Sequence, residues 1–278
     1  MELSIESVTI LLLMANFLVS LQGFSRLDFM ERMNFHVDRI LLDKEYYRMV
    51  SAGFVHTGWP HLVFNMLTLY FFAQGLQGMN VSFFLLIYFA SLIGGHGLAL
   101  FLHRNHGDYR AVGASGAVNG VIFAAIVLLP GLEVWFIPGW LFGLLYMLVT
   151  IYGIKAQRDR VGHEAHLGGA ILGLLLAIVY NPAVLSARPL VILGMLLPAA
   201  VFLYLVFTRP EMMLVPNYFR FEMERVRQTV VRGTGNSQQA PAFQSPEEEI
   251  NHLLDKGIEN LSAKERKRLE ELSRSLED

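Results

Sequence analysis

Cysteine is absent from the 278 residues, so disulfides, thiolate nucleophiles and Cys-ligated zinc are excluded and redox compartment cannot be read. Charge is scarce. Only 17% of residues are Asp, Glu, Lys or Arg, against about 25% in ordinary soluble domains. Net charge is −2, which gives no case for nucleic acid as a partner. The scarcity is also patterned. No charged residue occurs in the windows 7–25, 49–103, 111–132, 134–154, 165–187 and 189–208. Asp is missing from every one of them, which excludes a paired-aspartate intramembrane protease. Lys is missing as well, which disfavours a Ser–Lys dyad. Period-two alternation is missing too, which argues against a closed β-barrel.

What is present is 54% hydrophobic. A helix needs about 20 largely apolar residues to cross the hydrocarbon core. Five windows have room for one crossing each. The window 49–103 has room for two, divided at the polar turn Gln74-Gly-Leu-Gln-Gly-Met-Asn80. The reading is an all-α polytopic membrane protein with seven spans, at roughly 5–23, 60–74, 81–103, 114–130, 136–154, 165–180 and 190–207. The first apolar run lacks a basic flank and a convincing small-residue cleavage site, so it is read as a span rather than a signal peptide. The connection 24–59 mixes charges with aromatics, which suits short amphipathic helices at the interface.

The expected domains are a transmembrane unit over 1–208, a juxtamembrane segment and linker over 209–245, and a small helical hairpin over 246–278. Ser245-Pro-Glu-Glu248 and Ser262-Ala-Lys-Glu265 are capping boxes for that hairpin. The hairpin reads either as a solvated appendage or as a docking element for a partner.

Polar residues inside spans are functional candidates because they are costly there. Gly113-Ala-Ser115-Gly116 heads span four. A serine at a helix N-terminus sits among free backbone N–H groups that can hold a developing oxyanion. The alternative is a small-residue packing motif between helices. Gly162-His-Glu-Ala-His166-Leu-Gly-Gly169 heads span six, and a neutral His166 can take a proton from a serine hydroxyl. Read alone, His166 is equally an interfacial histidine. His163-Glu-Ala-His166 is one residue short of a zinc-binding His-Glu-x-x-His, so no metal and no cofactor is expected. His61 and Asn65 head span two, four residues apart on one face, and both can donate to an oxyanion. The bland alternative for them is interhelical polar glue. His56 lies outside that register and can brace the loop. Spans two, four and six start on one membrane side, so the three clusters share one shallow depth. Packing alone does not readily explain that coincidence.

As a set these motifs resemble the rhomboid intramembrane serine proteases over about residues 44–180. The carriers are His61 and Asn65, Gly113-Ala-Ser115-Gly116, and Ala165-His166-Leu-Gly-Gly169. The resemblance implies a rhomboid-like six-helix core plus a seventh C-terminal span, with a Ser115 nucleophile and a His166 general base. It implies an oxyanion site from the Ser115 N–H, His61 and Asn65, with Gly113 and Gly116 shaping it and His56 structuring it. The expected substrates are transmembrane proteins, entering from the lipid bilayer. The expected location is the cell membrane, multi-pass, with the site open to the extracytoplasmic face. A catalytically inactive rhomboid-like protein that holds transmembrane clients is the alternative.

There are departures. An aromatic usual four residues after the nucleophile is Asn119, an acidic residue after the second helix is replaced around Gln74 and Gln77, and a Trp-Arg pair of the first loop is represented by Tyr47-Arg48. Orientation is contested by charge. Arg26, Arg32, Arg39, Lys44, Arg48, Arg104, Arg110, Lys155, Arg158 and Arg160 all fall on the expected catalytic side, with only Arg188 opposite before the tail, and the positive-inside rule puts the richer side in the cytoplasm.

Overall fold

The computed structural model describes residues 3–156 and 161–209, together with residues 269 and 272. The chain divides into two compact units, Met1–Glu222 and Met223–Asp278. The first carries helices α1 (Ile5–Ser25), α2 (Leu27–Met33), α3 (Val37–Leu41), α4 (Arg48–Ser51), α5 (Trp59–Gln74), α6 (Val81–Leu102), α7 (Ser115–Leu128), α8 (Gly139–Ala156), α9 (His163–Tyr180), α10 (Val184–Ala187) and α11 (Pro189–Thr208). Two minimal antiparallel ladders complete it. In one, β1 (Phe35–His36) pairs with β2 (Arg110–Ala111); in the other, β3 (Glu133–Val134) pairs with β4 (Ile137–Pro138). In the second unit Leu269 and Leu272 are helical, and the rest of the expected hairpin lies outside the described residues.

The protein is an all-α polytopic membrane protein. Helices α1, α6, α8, α9 and α11 are long and apolar enough to cross a bilayer. Helices α5 and α7 occupy two further expected spans but have 16 and 14 residues. At 1.5 Å per residue α7 is about 21 Å long, well short of a core of about 30 Å. Its neighbours make up the difference: every residue from Gly116 to Val127 is buried, so α7 is the hub rather than a lipid-facing span.

Helix direction alternates, as side-chain contacts at the two ends show. At one end, Phe83 early in α6 meets Tyr180 closing α9 (4.9 Å between rings). At the other, Phe101 late in α6 meets Phe207 late in α11 (4.9 Å), and Trp59 opening α5 packs on Phe24 late in α1 (5.3 Å).

The centre is held by small residues. A Cβ added at Gly169 of α9 would collide with the Gly116 carbonyl of α7, and one at Gly173 with Gly120. Gly168 faces α6, where a Cβ would come within 2.9 Å of the Gly94 carbonyl oxygen. Between helices in lipid there is little hydrophobic driving force, so this backbone-close packing supplies the cohesion.

The 24–59 connection forms its own small core from Phe35, Val37, Ile40 and Ala52, with Ala99 of α6. Arg48 organises it. Arg48 is 4% exposed, and its guanidinium donates to Glu45 (2.6 Å) and to the carbonyls of Glu31 (2.7 Å) and Asn34 (2.8 Å). The arginine of Tyr47-Arg48 is therefore a loop anchor in its own right.

Candidate active site

The approach to α7 is set by the first ladder. Ala111 pairs with Phe35, and two residues later the Gly113 N–H donates to the Ala52 carbonyl (2.8 Å). Gly113 has φ +119°, a conformation that L side chains rarely adopt. A Cβ there would also come within 2.7 Å of His61 Cε1 and Nε2. The glycine is required twice: for the turn, and for bringing the loop against the His61 ring.

His56 is fully buried in the loop before α5. The Ala114 N–H donates to its Nε2 (3.3 Å), so that nitrogen is an acceptor and the ring proton sits on Nδ1. Nδ1–H then donates to Ser20 Oγ of α1 (2.9 Å), and Ser20 donates on to the Phe54 carbonyl (3.0 Å). Burial, with His61 beside it, pushes the His56 ring down to about 3, so it stays neutral at any physiological pH. Its role is to pin the backbone immediately before Ser115.

His61 and Asn65 do share the face expected of them, with different orientations. His61 Nδ1 lies 3.1 Å from Thr57 Oγ1 and within reach of the Thr57 N–H (3.5 Å), which leaves Nε2 as the nitrogen turned to the Gly113 loop. The His56 and His61 rings meet edge-on at 4.9 Å. Asn65 is buried, and its amide donates to the His61 carbonyl one turn back (2.9 Å).

Ser115 is the first residue of α7, and no side chain caps that terminus. The free N–H groups of the first turn surround the serine. His166 lies in the first turn of α9, with its N–H bonded to Gly162 (3.2 Å). Both residues are half-buried. They flank the tightest crossing of their helices: a Cβ at Gly116 would sit 3.4 Å from the Ala165 carbonyl oxygen, and Gly169 one turn on is in backbone contact with Gly116. The structure thus brings the two helix heads together. Among the described residues no hydrogen bond joins the Ser115 hydroxyl to His166. Instead His166 Nδ1 lies 3.2 Å from the Tyr146 hydroxyl of α8, with the two rings 28° from parallel and 6.4 Å apart.

The sequence reading did not single out Tyr146. Glu164, in the first turn of α9, is 5% exposed and enclosed. His103 Nε2 lies 3.0 Å from its Oε1, and the Tyr109 hydroxyl donates to Oε2 (3.4 Å). Tyr109 stacks on His103 at 3.6 Å, and burial together with the Glu164 carboxylate raises the Tyr109 hydroxyl above its ordinary range. This cluster ties the loop leading to Ser115 to the helix head that carries His166. Among the described residues no group of three or more His, Asp or Glu is arranged to hold a metal ion.

A family model described as the Rhomboid domain matches residues 43–183, half of the chain. The chain is 26% identical to RHOMBOID-like protein 12, mitochondrial, of Arabidopsis thaliana over 59% of its own length and 50% of the relative's. It is 27% identical to Rhomboid protease GluP of Bacillus subtilis (50% and 27%). To Rhomboid protease AarA of Providencia stuartii it is 26% identical (52% and 59%). The alignments therefore span from about a quarter to three-fifths of these relatives.

Proposed function

The chain belongs to the rhomboid family, and from that premise we propose that it is an intramembrane serine endopeptidase acting through a Ser115–His166 dyad. The observation that carries the reading is the close α7–α9 crossing at Gly116, Ala165 and Gly169, which brings together the two helix heads that carry Ser115 and His166. The missing direct bond does not oppose it, because catalytic hydrogen bonds are often long before substrate binds.

In this mechanism Ser115 Oγ attacks the scissile carbonyl while its proton passes to His166 Nε2. The new Oγ–C bond leaves an oxyanion. It is received by the Ser115 N–H and by His61 Nε2–H, with Asn65 swinging from the His61 carbonyl as a third donor. Collapse breaks the C–N bond, and the imidazolium gives its proton to the leaving amine. Water then attacks the acyl-Ser115 ester, with His166 taking a proton from it and returning one to Oγ. Gly113 and Gly116 keep the pocket open, and His56 holds its floor.

A peptide bond within a helix is shielded by its own hydrogen bonds. The substrates are therefore transmembrane segments with helix-weakening residues near one end, entering from the bilayer and unwinding locally. Fluorophosphonate labelling and reporter-helix cleavage, both lost in Ser115→Ala, test the assignment. Equal cleavage by Ser115→Ala would reject it. The second reading, a rhomboid-like protein that binds clients without cutting them, draws on the absence of a direct Ser115–His166 bond. It predicts client capture without labelling.

The protein is a multi-pass membrane protein, and we place it in the cell membrane with the catalytic face extracytoplasmic. α11 ends beside the end of α6, at the same end of the bundle as the heads of α5, α7 and α9. Protease access to a tag on the tail, from outside the cell, decides the orientation.

A further inference from the structure

A histidine that takes a proton from a serine needs its imidazole tautomer fixed. A neutral histidine can accept the serine proton at Nε2 only when its own proton sits on Nδ1. Among the described residues, the polar atom 3.2 Å from His166 Nδ1 is the Tyr146 hydroxyl. A phenol can accept from Nδ1–H if its own proton has somewhere to go. The Asn119 side chain lies beside the same hydroxyl. Its Oδ1 is buried and makes no hydrogen bond in the resting geometry, while its Nδ2 donates to the Ser115 carbonyl (2.8 Å). Asn119 is therefore held by the nucleophile's own backbone and keeps one buried acceptor, Oδ1, open. A buried acceptor without a donor is costly, and the Tyr146 hydroxyl beside the same side chain is the group that can supply one.

We propose that Tyr146 of α8 is the positioning residue for His166, accepting from Nδ1–H and donating to Asn119 Oδ1, so that base, tyrosine, asparagine and the Ser115 backbone form one closed circuit. The asparagine four residues after the nucleophile then has a role. It leaves room for a phenol arriving from another helix and receives its proton. The ring alignment of Tyr146 with His166 adds a wall on the same side. The proposal rests on the Ser115–His166 reading for its catalytic consequence and on these contacts alone for its tautomeric one.

The test separates the two. Full-length protein labelled with ¹⁵N-histidine is measured at pH 8, with the His166 resonances assigned by their loss in His166→Gln. The wild type should show the Nδ1–H tautomer at His166. Tyr146→Phe keeps the ring and removes the oxygen, and should move His166 towards Nε2–H. With a reporter helix, Tyr146→Phe should lower kcat at least about tenfold while KM stays within about twofold, because a mis-set tautomer impairs proton transfer rather than binding. Asn119→Ala, which strands the tyrosine proton, should change both readouts in the same direction and by less. An Nε2–H wild type, or a tautomer unmoved by Tyr146→Phe, overturns the assignment. If the wild type neither cleaves nor labels, the protease reading fails, while the tautomer measurement still decides the role of Tyr146.

Discussion

The two halves of the site are held in different ways. On the α5 side, His56 is enclosed and saturated: a backbone N–H fixes one ring nitrogen and a buried serine the other. On the α9 side, His166 is half-buried and its Nδ1 lies 3.2 Å from the Tyr146 hydroxyl of a neighbouring helix. At His56 the first half is fixed scaffold, with both ring nitrogens engaged. In the proposed chemistry the second must accept and release a proton at each step, so it can be steered but not locked. A fixed backbone clamp behind the oxyanion side and adjustability at the base side fit what the proposed chemistry asks of each.

The largest effect should come from disturbing the crossing that joins the halves. In Gly169→Val the new Cβ meets the Gly116 carbonyl, a backbone atom that cannot swing aside. Overpacking of this kind costs about 3 kcal/mol. The variant should lose most folded protein, seen as a fall in detergent unfolding temperature, and all reporter cleavage. A folded, active Gly169→Val would mean that the helices are not held together at this point. Gly113→Ala strikes the α5 side. Alanine at φ +119° is strained, and its Cβ presses on the His61 ring. Here the fold should survive, with an unfolding temperature near the wild type. Cleavage should drop about 100-fold, or about 2.7 kcal/mol of transition-state stabilisation, the cost typical of losing one oxyanion donor.

A pH series sharpens the contrast. The His56 ring is pushed from its ordinary 6.5 down to about 3 by burial. The unfolded chain therefore binds a proton near pH 6.5 that the folded chain refuses until about pH 3. Stability from this group is complete above 6.5 and falls as pH drops towards 3, at a rate of up to about 1.4 kcal/mol per pH unit. Unfolding temperature measured from pH 7.5 to 4.5 should decline, and His56→Asn should flatten the decline while lowering the starting value. Ser20→Ala, which leaves the buried Nδ1–H without its acceptor, should cost about 1–3 kcal/mol at pH 7.5. An unchanged unfolding temperature would show that the serine is not part of the clamp.

The helices were legible because their cause is simple: hydrocarbon tolerates no unpaired charge, so charge-free windows trace α1, α5, α6, α7, α8, α9 and α11 to within a few residues. The local motifs were legible for the same kind of reason, since Ser115 and His166 each stand at a helix head within a glycine-marked segment. What stayed hidden depends on how one helix is rotated against another. Tyr146 is one tyrosine of several in apolar segments, and only the packing of α8 on α9 turns it to His166. Glu164 stands in the first turn of α9, and nothing in its local sequence marks it as buried. It is buried because His103 and Tyr109, more than fifty residues earlier, fold over it. The short β1–β2 ladder has no signal in two-residue segments, though it aims the loop that carries Gly113.

The smallest effect belongs to glycines outside the seam, which makes them the control for everything said of Gly169. Gly194 lies inside α11, and a Cβ there meets nothing within 4 Å. If glycine in these spans were used generally for close approach, Gly194→Ala would destabilise. If close approach is confined to the α6–α7–α9 centre, alanine at 194 only restricts the unfolded backbone and favours helix, a gain of up to about 1 kcal/mol. The expected result is an unfolding temperature equal to or slightly above the wild type, with unchanged cleavage. A fall comparable to that of Gly169→Val would place a packing partner against α11 and move the boundary of the essential core outward from α9 to the seventh span.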